Sequence, residues 1–504
     1  MWMRLPPGLL SVDEVRAAVN AELDAPPRLL PPSSVHPALQ PRRDEVAEWA
    51  RGRIQGEFVP TPEDTVAVSK AGHGVRPVAV WDLPSRLAYW ALAERLRPAL
   101  PTADRSRAAW TAFQRAPSEG GAKYVVSSDI AACYQFVDHA LLAAELLTQS
   151  GDAATISAVT ALLRETSGRT YGLPQQSSAS DLLAETFLRQ LERALVRKGL
   201  TVFRYNDDFR FACGSWAEVV RSLEVLAEQA RAFGLTVNDL KTVTWTTAKY
   251  TASLDRADAL RDEIAAEAEL DLTRFETDYD GAVVAEPPDE GEVDVLASVR
   301  VLERWDKVAG RSRRPQSGRP EHRAVVELLP AALKTLEADA ATDPAVLASC
   351  MKILRYEQTA TPAVASYLIT RNDETAVLGA FDKLLAAKAY LNGWQTWWLQ
   401  QPLARHSGFA TGPGSKARRT WAREALTAAQ HSPVLRAHAA LTLARLGLVD
   451  TATLLALYDR TNATLRPVLA AAIALCKPAA DIAGAVRGDS PLHAWTYDWA
   501  SALA

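Results

Sequence analysis

The chain has 504 residues, 48% of them hydrophobic and 23% charged, and a formal net charge of −4. That length accommodates two to four domains with sizeable cores, and the charge balance excludes a global basic field, so any nucleic-acid contact must come from local patches. Four widely separated cysteines, Cys133, Cys213, Cys350 and Cys476, exclude a disulfide framework and any paired zinc-ligand spacing, and point to a reduced, intracellular protein.

In chain order, residues 1–64 read as an N-terminal arm. Its start, "MWMRLPPGLLSVDEV", meets prolines and acids before any apolar run of signal-peptide length, and no run of 18 apolar residues follows anywhere, so a cytoplasmic protein without membrane spans is expected. The proline-rich "APPRLLPPSSVHPALQP" is a segment that wraps, docks or links. Residues 65–250 mix strands and helices. "KYVVSSDI" is a strand that ends on Asp129, and "DLLAETFLRQLERALVRKG" sets Leu183, Phe187, Leu191 and Leu195 on one helical stripe that stops at Gly199 behind Arg197 and Lys198. In "TVFRYNDDFRFACG", Phe203, Tyr205, Phe209, Phe211 and Cys213 share one parity and Arg204 and Arg210 the other, the period-2 pattern of two half-buried strands. Asn206 and Asp207 form the tip of the hairpin, because both residue types tolerate tight-turn conformations. The helix "AEVVRSLEVLAEQARAFG" and the strand-like "LTVNDLKTVTW" follow. Strand, helix, hairpin, helix, strand is the order of a split βαβ sheet, so the fold class is α+β.

Residues 251–294 read as a thumb-like helical segment that ends in the linker "EPPDEGEVD". Strand patterns vanish across 295–504, where Ala- and Leu-rich helices such as "SPVLRAHAALTLARLG" and "NATLRPVLAAAIALCKP" carry Leu-Arg marks 30 residues apart. Helix pairs stacked as a repeat, or a plain helical bundle, satisfy that spacing. Trp394, Trp397 and Trp398 cluster in "YLNGWQTWWLQQPL" as either a packing core or a base-stacking platform. The basic stretches 311–323 and 414–423 are either phosphate-tracking or solvated faces.

The chemistry concentrates on two acidic positions 78 residues apart, Asp129 at a strand end and Asp207 at the hairpin tip, with Asp208 beside it. A split βαβ sheet lays these elements side by side. Three acids at rigid strand ends form a site for two Mg2+ ions, which can clamp the attacking and leaving oxygens of an in-line phosphoryl displacement.

"RYNDDFRF" resembles the YxDD box of reverse transcriptases, with Tyr205, Asp207 and Asp208 in register. "DIAACY" is similar to their first catalytic box, with Asp129 and Tyr134. "YGLPQQSSASDLLAETFL" resembles the box that supports the templating pair and the incoming nucleotide, through Gly172, Leu173, Pro174, Gln175 and Ser180. "GLTVNDLKT" matches the box after the catalytic hairpin through Gly234, Asn238 and Lys241, and "VSKAGHGVRPVAVWDLPSRLAYWAL" resembles the fingers segment. The five boxes stand in order over about 180 residues. The resemblance implies reverse transcriptase-like fingers and palm at 65–250 with catalytic Asp129, Asp207 and Asp208. It implies metal contacts from these acids and Ile130, and nucleotide contacts from Lys70, Arg76, Tyr134, Gln175 and Lys241. Two Mg2+ ions, or Mn2+ in their place, are the implied cofactors. Tyr134 would sit under the sugar and exclude a 2′-hydroxyl. One departure is Gln176, where the family commonly has the glycine that lets backbone approach closely.

The "DDFRF" continuation and the all-helical second half resemble the abortive-infection and "unknown group" reverse transcriptases of bacterial antiphage defence, whose C-terminal domains are HEAT-like helical repeats. That resemblance implies synthesis from dNTPs, in some members without a template and with a protein hydroxyl as primer, giving a covalent protein–DNA adduct, often in a homo-oligomer. Nucleic-acid partners would be the DNA product and a noncoding RNA template. Tyr356, Tyr367, Tyr390, Tyr458 and Tyr497 are the tyrosines of the helical half. The alternatives are a conventional RNA-templated enzyme of a retroelement and a catalytically idle RNA-binding scaffold.

Overall fold

The computed structural model describes residues 6, 8–25, 29–55, 58–70, 74–102, 104–277, 283–286, 288–310, 320–338 and 342–503. Its central sheet is antiparallel, in the order β4 (Val202–Tyr205), β5 (Asp208–Cys213), β3 (Tyr124–Asp129), β6 (Val243–Thr246). The hairpin β1 (Asp64–Lys70) and β2 (Gly74–Val80) forms a second sheet, and β7 (Arg274–Thr277) with β8 (Val283–Glu286) a third.

The hairpin β4–β5 turns on Asn206 and Asp207 as its alternation requires, but the two strands do not share one apolar parity. The register pairs Phe203 with Arg210 and Arg204 with Phe209. Directly opposed residues project from the same face, so odd residues of β4 lie with even residues of β5. On one face, Tyr205 packs against Trp110 and Phe113 of the helix Arg107–Glu119, and the Arg210 guanidinium lies over the Phe113 ring. On the other, Arg204 meets the helix Ser178–Arg197 through Glu185 and Glu192, while Phe209 and Phe211 are buried in the core cluster that also takes in Phe187 and Leu191. A two-residue turn makes this swap, because every pair across it joins an odd position to an even one, and a reading by residue parity overlooks it.

The helices of the N-terminal segment belong to the same core. Val12–Asp24, started by a Ser11–Glu14 capping box, and Arg43–Gln55 bury Val15, Val19, Val46 and Ile54 in the cluster that includes Leu87 and Leu92 of the helix Leu83–Leu96. From the proline-rich stretch, Leu29, Leu30 and Val35 reach across to the second half. The indoles of Trp394 and Trp398 donate to the Leu29 carbonyl at 2.6 and 3.0 Å, and Ser34 bonds His438, which stacks on Trp397. The tryptophan cluster is therefore spent on packing and on seating that stretch.

In the second half, alternate helices stack. Thr361–Ile369, Gly393–Ala404, Pro433–Arg445, Arg466–Leu475 and Pro491–Ser501 form one row, and Pro344–Tyr356, Glu374–Ala386 and Ser415–Thr427 a second. The linker expected at 286–294 is largely the first turn of the helix Glu290–Gly310, which packs along Arg256–Leu272 with Arg304 paired to Glu263 at 2.6 Å. Of the two basic stretches, 311–323 lies mostly outside the described residues. In the other, Arg418 is buried, holding Asp382 and the carbonyls of Gly408, Phe409 and Pro413, so it is a structural knot and no phosphate contact. No helix among the described residues is long and apolar enough to cross a membrane.

Candidate active site

Asp129 ends β3, Asp207 occupies the turn and Asp208 opens β5 in register with Asp129. The three residues offer carboxylate oxygens that all lie within 4.8 Å of one another. Two backbone bonds lock this convergence: the Ile130 N–H donates to the Asp207 carbonyl at 3.0 Å, and the Asn238 N–H donates to the Asp129 carbonyl at 2.8 Å. Asn206 adopts φ +53°, the left-handed conformation that asparagine tolerates better than most L-residues.

The electrostatics of the cluster call for a cation. Burial, then the neighbouring Asp129 charge, pushes the Asp207 carboxyl above its usual range, against the pull of Lys241 and Arg76. Burial also raises Asp208, to about 6, although Arg210 stands 3.6 Å away. Asp129 Oδ2 accepts from Asn238 Nδ2 and pairs with Lys241 Nζ, both at 3.0 Å. Hard oxygen donors this close, two of them driven toward their neutral forms, fit a divalent ion, whose charge would reverse both shifts. The Ile130 side chain is a hydrocarbon without a ligand atom, so only its backbone carbonyl could serve an ion.

A buried ion network braces the turn from beneath. Arg204, its side chain 4% exposed, donates to Glu185 at 2.6 and 2.9 Å, to Glu192 at 3.0 Å and to the Asn206 carbonyl at 3.0 Å. Burial works to raise the Glu185 carboxyl, yet Arg204 brings it below the usual range.

Tyr134 is held at both ends. Its hydroxyl donates to Asp181 at 2.7 Å and accepts from Arg105 at 3.2 Å, while Arg105 pairs with Asp181 at 3.0 Å. The Tyr134 carbonyl accepts from Leu173 N–H at 2.7 Å, which seats the "YGLPQQ" box beside it. Gly172 has φ +95°, and a Cβ there would stand 3.2 Å from the Gln135 carbonyl, so glycine is required. Gln176 has φ +67° with no such freedom. Gln175 and Gln176 line a cavity of about 1330 Å3 between Trp81, Tyr89, the proline-rich stretch and the second half. Lys70 is exposed at the end of β1, opposite Gly74. Arg76, opposite Val68, is close enough for its charge to act on Asp207.

The fold thus brings the three acids, Lys241 and Arg76 together, sets Tyr134 in its own clamp, and gives Gln175 to the cavity. Sequence reasoning passed over Arg204, Glu185, Glu192, Asp181 and Arg105. The first three left a signal: an arginine beside the YxDD box and two glutamates seven residues apart on one helix face. Asp181 and Arg105 left none, because the clamp joins segments far apart in the chain.

Residues 68–263 match the family model described as reverse transcriptase (RNA-dependent DNA polymerase). The chain carries a reverse transcriptase domain. That domain makes it, by class, an RNA-directed DNA polymerase. No curated protein matches the chain. Among solved structures, the chain is similar at 11% identity to the apo telomerase from Candida tropicalis, over 75% of this chain and 72% of that one, with a TM-score of 0.30. A second, telomerase from the same organism in complex with a TWJ fragment of telomeric RNA, is also 11% identical, over 75% of this chain and 67% of that one, with a TM-score of 0.28. The reverse transcriptase domain contains all three clustered acids, the Tyr134 clamp and the Arg204 network.

Proposed function

We propose that this chain joins deoxynucleotides at Asp129, Asp207 and Asp208 with two Mg2+ or Mn2+ ions, and that it does so in bacterial antiphage defence of the abortive-infection type. The carrying observation is the convergence of three carboxylates within 4.8 Å. An idle RNA-binding scaffold gains nothing from acids that repel a phosphate backbone. In the reaction a hydroxyl oxygen bonds to the α-phosphorus of a dNTP, the α–β P–O bond breaks, pyrophosphate leaves and the hydroxyl proton passes to solvent. When bound, the ions stabilise the charge on the attacking and leaving oxygens.

Lys70 and Arg76 meet the triphosphate as a point charge and a planar fork. Lys241, which pairs with Asp129 at 3.0 Å, would meet the leaving phosphates as a point charge if that acid instead held an ion. Tyr134, fixed by Asp181 and Arg105, lies under the sugar, and Gln175 supports the nucleotide.

The stacked alternate helices of the second half support a HEAT-like repeat and with it the defence subgroup, which works in the cytoplasm as a homo-oligomer. Residues 1–64, 65–250, 251–294 and 295–504 correspond to an N-terminal segment, fingers and palm, a thumb-like segment and the repeat. A tyrosine primes synthesis and forms the protein–DNA adduct. Tyr367, Tyr458 and Tyr497 are buried, whereas Tyr356 and Tyr390 are exposed, each two residues ahead of a side chain bonded to Ser69.

The test is to incubate purified protein with Mg2+ and labelled dNTPs, without primer or template, and to run a denaturing gel before and after protease. Label that migrates with protein until digestion, and vanishes in Tyr390→Phe with Tyr356→Phe, is the expected result. Label that appears only on a primed RNA template would make this a conventional templated enzyme and remove the defence reading.

A further inference from the structure

The hairpin β1–β2, which carries Lys70 and Arg76, takes its core from the second half of the chain. Val66, Val68 and Val78 are buried in the cluster formed by the C-terminal helices, separate from the cluster beneath the catalytic sheet. Two polar ties fix the hairpin to those helices. At its outer end the Ser69 hydroxyl donates to Gln358 Oε1 at 3.0 Å and accepts from Asn392 Nδ2 at 2.8 Å. At its root Asn462 Nδ2 donates to Asp64 at 2.9 Å. Asn392 is in turn rigid, because its Oδ1 caps the helix Gly393–Ala404 in a capping box with Gln395.

We propose that the second half is part of the nucleotide site: through Gln358 and Asn392 it holds Ser69, and so sets the position of the adjoining Lys70. The inference rests on the reading of Lys70 as a triphosphate contact. A two-stranded hairpin alone is marginal in water, so without an apolar platform and fixed ends its cation would sample many positions. Charge placed in advance binds an anion with less ordering cost than charge on a loose strand. Ser69, Gln358 and Asn392 are positioning residues, and none of them need touch the nucleotide. The arrangement also joins hairpin and helical half into one body, so a motion that closes the hairpin over a nucleotide must carry the helices with it.

The test compares steady-state dNTP incorporation by the full chain, on whichever primer it uses, for Ser69→Ala, Ser69→Thr and Lys70→Ala. Ser69→Ala removes both ties at the outer end while leaving the Asn392 cap intact. It should raise KM for dNTP about 3- to 10-fold, the worth of a lost hydrogen bond or two, with kcat and Tm near wild type. Ser69→Thr keeps a hydroxyl on the strand and should restore KM. If Lys70→Ala raises KM but Ser69→Ala does not, or if Ser69→Ala lowers Tm without a change in KM, the brace is structural only and the proposal falls. If Lys70→Ala itself leaves KM unchanged, the triphosphate assignment fails and the proposal with it.

Discussion

Arg204 offers the sharpest test of how the catalytic turn is built. Its guanidinium and the Glu185 carboxylate are both 4% exposed, 2.6 Å apart, and the same guanidinium reaches the Asn206 carbonyl. Arg204→Met would leave Glu185 buried with its remaining ion pair to the half-exposed Arg189, at 3.3 Å. Breaking a buried pair from one side costs about 3–5 kcal/mol, whereas replacing both partners with apolar residues is close to neutral. Urea unfolding followed by tryptophan fluorescence should therefore show a loss of about 3–5 kcal/mol for Arg204→Met and recovery of most of it in Arg204→Met with Glu185→Leu. Incorporation should stay depressed in both, by about 10- to 100-fold, because neither variant ties the turn carbonyl and small displacements of reacting groups are costly. A single variant losing under about 1 kcal/mol would refute the energetic argument. A stable double variant with wild-type incorporation would refute the brace.

Asp207→Asn should lower incorporation by about 10²–10³-fold or more and weaken Mn2+ binding by calorimetry; unchanged metal binding would remove Asp207 from the metal site. Tyr134→Val should raise use of rNTPs relative to dNTPs, while Tyr134→Phe, which keeps the ring, should not; equal discrimination in all three proteins would end the gate assignment. Gln176→Gly should stabilise the fold by about 0.5–1 kcal/mol, since relief of a left-handed L-residue outweighs the extra chain entropy of glycine. A loss of stability there would mean that the Gln176 side chain makes contacts worth more than its backbone strain. Burial holds His438 down to about 3 and His493 to about 4. Because an unfolded histidine titrates near pH 6.5, the unfolded state takes up protons first and stability should fall as pH drops from 6.5 toward 4, by roughly 1.4 kcal/mol per unit for each group. His438→Phe, which keeps a ring on Trp397, should flatten the urea-midpoint slope between pH 6.5 and 5 by about one proton, and an unchanged slope would exclude His438.

Local pattern was enough to locate the catalytic strand, the hairpin with its Asn206–Asp207 tip and the helices before and after it, because alternation, stripes and stop signals act within a few residues. The acids were legible for the same reason: Asp129 and Asp207 sit where strands must end. What the sequence could not determine was which faces meet. The parity swap across the hairpin depends on register, and so the split between Tyr205 with Arg210 and Arg204 with Phe209 emerges only from strand pairing. The Tyr134 clamp, the seat of Leu29 on two tryptophans, and the hold of Gln358 and Asn392 on Ser69 join residues 29 to 369 positions apart. Such contacts carry no local signal, since side-chain hydrogen bonds and apolar burial are satisfied by whatever the packed chain brings near. Tertiary structure alone therefore decided that the nucleotide-facing hairpin leans on the far half of the chain, where its three buried valines, Val66, Val68 and Val78, find the apolar surface that a two-stranded sheet cannot supply for itself.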